Sequence, residues 1–194
     1  MGVAKTLKSI TRDFCDRSGV WASRAYLGAT AILGVKNVLP ALSEGRMSQD
    51  AICDTIGMLL FFGSSLCYPK VKDDPRYLQL AGLCTIFASS AVAAGQWNGD
   101  WSDPKFLTHA GSMVPTFLGG LMFLFNKPGF GALPELASRP LHFIAGVQQK
   151  DPGQMLFAVL CMIGDSGVAM LDPRIKNFVK EKILGEQAPA AQIP

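Results

Sequence analysis

Charge is scarce in this sequence. Of its 194 residues only 17% are Asp, Glu, Lys or Arg, while 49% are hydrophobic and the mean hydropathy is +0.26. Soluble domains average about 25% charged residues, so a water-exposed surface on a chain of this size would be short of charge. A lipid surround removes that requirement.

Histidine is scarcer still, with His109 and His142 alone. Two histidines leave few ways to build a catalytic base or a haem pair. The five cysteines (Cys15, Cys53, Cys67, Cys84, Cys161) are scattered singly, without a CxxC or a Cys/His pair at ligand spacing. That argues against a zinc or dithiol motif, and the odd count against a full disulfide framework. Such thiols in apolar stretches behave as small hydrophobes. No G-x-x-x-x-G-K-[ST], G-x-G-x-x-G after a strand, H-E-x-x-H or G-x-S-x-G occurs. The net charge of +3, with no basic stripe carrying interleaved aromatics, argues against a nucleic-acid partner. Together these absences predict a non-enzymatic protein with no metal and no cofactor. Residues 1–20 carry charge throughout and have no apolar centre, so no cleavable signal is expected. Gly2 with Thr6 fits only the loose pattern for N-terminal acylation.

What the sequence does have is apolar length. Six segments stand out, at residues 20–42, 51–68, 77–97, 106–126, 137–147 and 153–171. A spanning helix needs about 20 mostly apolar residues; the fifth segment, at 137–147, is short of that and reads as a crossing or as an interfacial or re-entrant helix. Loop charge decides for six. With the N-terminus inside, the inner segments carry Lys5, Lys8, Arg12 and Arg17, then Lys70, Lys72 and Arg76, then Lys127 and Arg139, then Arg174, Lys176, Lys180 and Lys182. The outer loops carry one cation each, Arg46, Lys105 and Lys150. That split follows the positive-inside rule and puts both termini on the cytosolic or matrix-like side. Trp97 and Trp101 flank an outer loop, at the depth tryptophan favours.

The expected fold is therefore an all-α transmembrane helical bundle of about six short spans. It divides into a basic amphipathic segment at 1–18, a transmembrane domain at 19–172, a basic amphipathic helix at 173–184 and a disordered tail at 185–194. Val3, Leu7, Ile10 and Phe14 form one apolar stripe beside cations, and Ile175, Phe178, Val179 and Ile183 another. Basic amphipathic helices of this kind suit anionic lipid headgroups.

Asp-Pro opens four expected helices, at Asp74, Asp103, Asp151 and Asp172. Asp is a strong N-cap, and Pro suits the first helical position. Two of these starts continue alike. At an offset of 77 residues Ala81 matches Ala158, Leu83 matches Leu160, Cys84 matches Cys161, Ile86 matches Ile163 and Ser89 matches Ser166. A duplication would give two three-helix units, inverted in the membrane as in secondary transporters. Pro40 and Pro115 fall at nearly corresponding places. Small residues four apart, such as Ser89 and Ala93, with Gly111, Gly119 and Gly120, mark the third and fourth helices as the bundle centre.

An ionisable group inside a span costs at least about 2.5 kcal/mol near the bilayer centre, so each is a functional candidate. The candidates are Asp165, Arg24, Lys36, Asp54 and His109. Their depths allow Lys36 to pair with Asp54 and Arg24 with Asp165. His142 reads as a lone interfacial histidine without a ligand role. The order of helix, basic turn, helix, short loop and helix, from Leu59 through CYPKVKDDP to Leu124, resembles the triple-helix unit of PQ-loop and SWEET-type carriers. The defining Pro-Gln is missing, since Lys70 follows Pro69, and no residue role is carried over. Two functions remain: a small-solute or ion transporter, or an accessory, assembly or scaffold protein binding other membrane subunits or its own copies.

Overall fold

The computed structural model describes residues 2–45, 48–95, 102, 104–148 and 150–186, with side chains at all of these except 4 and 104–110. Every regular element among them is helical. An amphipathic α1 (Gly2–Asp16) precedes α2 (Ser18–Leu33), which passes through a π turn (Gly34–Val38) into α3 (Leu39–Ser43) without a break. Pro40 explains the π turn. It has no N–H for the carbonyl four residues back, and the ladder widens so that Leu39 N–H reaches the Gly34 carbonyl. Next come α4 (Gln49–Cys67) with a 3₁₀ turn (Tyr68–Lys70), α5 (Arg76–Gly95), α6 (Pro104–Leu124), α7 (Pro128–Gln148) and α8 (Pro152–Ala169). The chain closes with α9 (Pro173–Val179) and a second π turn (Lys180–Leu184). The Asp-Pro starts act as caps. Asp74 accepts from Arg76 N at 2.9 Å, Asp151 from Gln154 N at 3.0 Å and Asp172 from Arg174 N at 3.0 Å. Asp103, Trp97, Trp101, Arg46 and residues 187–194 lie outside the described residues.

Six long helices form a closed ring. Each of α4, α5, α6, α7 and α8 packs on the next, and α8 returns to α2, which also touches α4. The expected central placement of the third and fourth helices is thus corrected: α5 and α6 are two staves of the ring like the others. Their small residues serve local approach. A Cβ on Gly82 would stand 2.6 Å from the Gly120 carbonyl oxygen, and one on Gly120 would stand 2.8 Å from Ile86 Cγ1. Gly111, by contrast, faces open space.

The ring is inside-out in polarity. Ser64, Ser65, Thr85, Thr116, Glu135 and Asp165 are buried, while Leu59, Phe87, Val114, Leu141 and Ile144 are at least half exposed. Four stretches are long and apolar enough to cross a membrane: Ser18–Ser43, Gln49–Lys70, Arg76–Gly95 and Pro152–Ala169. In α6 the apolar stretch is Gly111–Leu124. The segment expected at 137–147 is corrected to a helix of 21 residues, Pro128–Gln148. Its first half is hidden in the sequence by Pro134, Pro140 and a polar stripe that faces the ring interior.

The ends of the ring gather different residues. At one end Asp16 of α1 accepts from Lys180 Nζ at 2.7 Å, Lys176 stands 3.8 Å away, and Lys72 donates to the Asp16 backbone carbonyl. Arg12 pairs with Glu186 at 2.7 Å. The C-terminal part of α1, the α4–α5 turn and the end of the described chain therefore share one end. At the other end Lys36 pairs with Asp151.

Two outcomes test this packing. Gly82→Ala forces α5 from α6 and should lower stability by about 1–3 kcal/mol, as overpacking does, read as a fall in thermal unfolding temperature in detergent. The Lys180 hydrogen bond holds the Asp16 carboxyl below the usual carboxylate range, against partial burial. Its contribution is therefore full above the ordinary carboxylate value and disappears as the pH falls through the lowered one. Half-exposed pairs are worth at most about 1 kcal/mol. Asp16→Asn should modestly speed amide exchange across 173–184 at neutral pH, and the difference from wild type should vanish in acid.

Candidate functional site: a charged cluster beside a cavity ringed by six helices

Glu135 and Arg139 lie four residues apart on α7, so both side chains leave the same face. Arg139 Nη2 donates to Glu135 Oε2 at 2.9 Å, and its Nε donates to Asp165 Oδ2 on α8 at 2.8 Å. The Tyr26 hydroxyl, on α2, donates to Asp165 Oδ1. Three helices are thus tied at one carboxylate, that of Asp165. The side chains of Glu135, Arg139 and Asp165 are 5%, 6% and 0% exposed. A close α2–α8 contact positions Tyr26, since a Cβ on Gly164 would stand 2.8 Å from its ring.

Satisfaction within this cluster is uneven. Both Asp165 oxygens are occupied. Glu135 Oε2 is occupied, but Oε1 has no partner among the described residues and lies against Gly119 of α6. The formal charges are uneven as well, with two carboxylates facing one guanidinium. Burying an unpaired charge is expensive, and the usual relief is a proton or a counter-ion.

A cavity of about 90 Å³ opens beside the cluster and is lined by residues from all six ring helices. That volume holds several water molecules. Its polar wall includes Thr30, Ser65, Ser112 and Thr116, its charged wall Glu135 and Arg139, and Cys161 lies on its α8 side. Tyr68 closes the end toward α1, its ring tilted against that of Tyr26 at 5.5 Å and edge-on to Phe123 at 6.4 Å. Below it Ala22, Cys67, Leu78, Ala81, Ala132 and Val168 form an apolar floor. Ser64 bridges the Tyr68 hydroxyl and Thr85, each at 3.2 Å. Toward the other end the lining reaches Asn37 and Asp54.

The sequence candidates separate on this geometry. Asp165 is central, but its partners are Arg139 and Tyr26. Arg24 lies on the exposed side of α2, because its position falls off the stripe that carries Ala22, Tyr26 and Ala29 inward. The Arg24–Asp165 pairing is thereby corrected. Lys36 pairs with Asp151 because the π turn rotates it toward the start of α8, and Lys36 keeps the Asp151 carboxyl below the usual range. Asp54 accepts from Asn37 Nδ2 at 3.3 Å and lines the cavity. The His109 side chain lies outside the described residues. His142, read from sequence as interfacial, is buried on the cavity wall. Arg139, counted as a loop cation, lies near the middle of α7, so the α6–α7 turn keeps only Lys127.

Glu135, Arg139 and Tyr26 were the residues missed. The Glu-x-x-x-Arg spacing was the available signal, since it is the helical ion-pair spacing. Among the described residues no group of three or more His, Cys, Asp or Glu is placed to hold a metal ion. The chain matches no protein-family model, no characterised protein and no solved structure. The PQ-loop and SWEET-type layout is therefore a likeness of element order alone.

Charge arithmetic makes the substitutions unequal. Arg139→Met leaves both buried carboxyl groups without their cation and should destabilise by about 3–5 kcal/mol, the usual result of breaking a buried pair. Asp165→Asn leaves one carboxylate facing one guanidinium and should cost no more than about 2 kcal/mol. Chemical unfolding in detergent measures both, and equal losses would contradict the charge count.

Proposed function

We propose that this protein is a multi-pass membrane carrier for a small polar or cationic solute, with all six ring helices crossing the bilayer and both ends on the cytosolic or matrix-like side. The observation that carries the reading is the cavity reached by every ring helix, whose largely apolar wall is bordered by a buried cluster with one carboxylate in excess. A scaffold needs no such cavity, since a dry core of small residues packs helices more cheaply. Ionisable groups inside membrane helices mark solute and ion paths by default.

Three further features support the arrangement. The cations of α1, of the turn after α4 and of α9 share one end of the ring, as the positive-inside rule requires of an inner face. Of the pairs at the 77-residue offset, Ala81 and Ala158 are both completely buried and Ile86 and Ile163 both half-buried, in keeping with two diverged three-helix units, while Leu83 and Leu160, Cys84 and Cys161, and Ser89 and Ser166 differ in burial. Val3, Leu7 and Ile10 leave an apolar stripe exposed on α1, suited to lie among anionic headgroups beside its lysines. The protein acts by binding and passage, without chemical turnover.

Cys161 provides the test. A variant keeping it as the single cysteine, reconstituted in liposomes, should react progressively with a small membrane-impermeant thiol reagent, because a carrier opens its cavity to water. Asp165→Asn should lose solute flux while keeping its fold. A Cys161 that stays inert, with a partner protein co-purifying, would favour an accessory or scaffold role.

A further inference from the structure

We infer that Glu135 is a proton-binding site, holding at Oε1 the proton that balances the buried cluster. The charge count requires one positive charge beyond Arg139, and the geometry limits where it goes. Asp165 is committed on both oxygens, to Arg139 and Tyr26. Glu135 Oε2 is committed to Arg139, which leaves Oε1 as the unpartnered buried oxygen of the cluster. A metal cation needs several oxygen ligands at once, about six for magnesium and six to eight for calcium. One free carboxylate oxygen, pressed against the Gly119 backbone, does not supply them. A proton needs one oxygen and almost no room.

The ionisable groups around Glu135 are Arg139 and His142 on its own helix, Asp165 and Cys161 on α8, Tyr26 on α2 and Tyr68 after α4. Of these, His142 is the rival bearer of the extra charge, because it lines the same cavity and is buried on the same helix. Asp165 ranks behind Glu135, since a proton there would displace one of its two donors.

The consequence concerns coupling. When the cavity opens to water, Glu135 releases its proton and the cluster regains one negative charge. It then takes a cation in exchange or recovers a proton, so passage of solute is tied to passage of a proton. That consequence alone rests on the carrier reading; the proton is detected without any transported solute.

Infrared spectroscopy of the purified protein, in a detergent without carbonyl groups, reads the C=O stretch of a protonated carboxyl. Of the four glutamates, Glu44 and Glu181 are exposed and Glu186 pairs with Arg12, so their ionised carboxylates give no such band at neutral pH. The expected result is a band from one carboxyl at neutral pH, shifted by carboxyl ¹³C-labelling of glutamate and unmoved by labelling of aspartate. Glu135→Gln should abolish it. Asp165→Asn should abolish it too, because Glu135 then faces Arg139 alone and ionises, and this second variant serves if the first does not fold. No band in the wild type would overturn the proposal by placing the balancing charge on His142 or a bound cation. A band that follows aspartate labelling, or a glutamate band that survives in Glu135→Gln, would overturn it equally. Liposomes loaded with a pH dye extend the test to function. Loss of proton movement in Glu135→Gln with the wild-type band intact supports coupling, whereas an intact band with no wild-type proton movement leaves the site and removes the coupling.

Discussion

The guanidinium of Arg139 joins α7 to α8 through Glu135 and Asp165, in a place where almost no solvent reaches any of the three side chains. Arginine suits this position because its planar fork presents several donors at fixed angles and stays charged in almost any environment. A lysine would offer one rotating ammonium and could not face both carboxylates in the same geometry. The Tyr26 hydroxyl extends the tie to α2. Most of the surrounding structure follows from keeping this cluster away from lipid. It needs a helix on every side, and six helices in a closed ring supply them.

That requirement accounts for the unusual distribution of side chains. The ring interior collects hydroxyls and ionisable groups, and the exterior collects leucine, isoleucine and phenylalanine. It also accounts for α7. A helix that carries Glu135, Arg139 and His142 on one face cannot have the mean hydropathy of a lone spanning segment. Its neighbours make the burial tolerable by turning Ser112, Thr116 and Cys161 toward it. Close helix approach does the rest. Glycines at 82, 120, 131 and 164 bring backbones and rings into contact where a methyl group would collide.

Much of this was legible in the sequence, and the failures share one cause. Helical class, the Asp-Pro caps and most segment limits came from apolar length and N-cap chemistry, which are local properties. Asp165 stood out because it interrupts an otherwise apolar segment. Arg139 and Glu135 did not, since they sit between Pro134 and Pro140 in a stretch that resembles a loop, and proline in a membrane helix is tolerated where neighbours satisfy the freed carbonyls. Counting Arg139 as a loop cation reached the expected topology with one wrong member. The pairings failed for a different reason: depth alone permits several partners, and the π turn before Pro40 reorients Lys36 in a way that no 3.6-residue count anticipates.

The placement of ion pairs bears on how such a ring moves. The Lys36–Asp151 pair at one end and the Asp16 pairs at the other are each partly exposed to solvent. Pairs of that kind contribute little and open readily. The Arg139 cluster between them is buried, and separating it would strand charge in a region of low dielectric. Opening should therefore be easier at these end pairs than at the cluster, where α2, α7 and α8 stay joined through Asp165. Alternating access asks for this mechanical layout, a fixed binding region with two independently weak closures. In the proposed carrier the excess carboxylate would then have a role that a purely structural ion pair lacks. It would make the closed, dehydrated state favourable only when the cluster is neutral, so that loading of the site and closure of the ring would be one event.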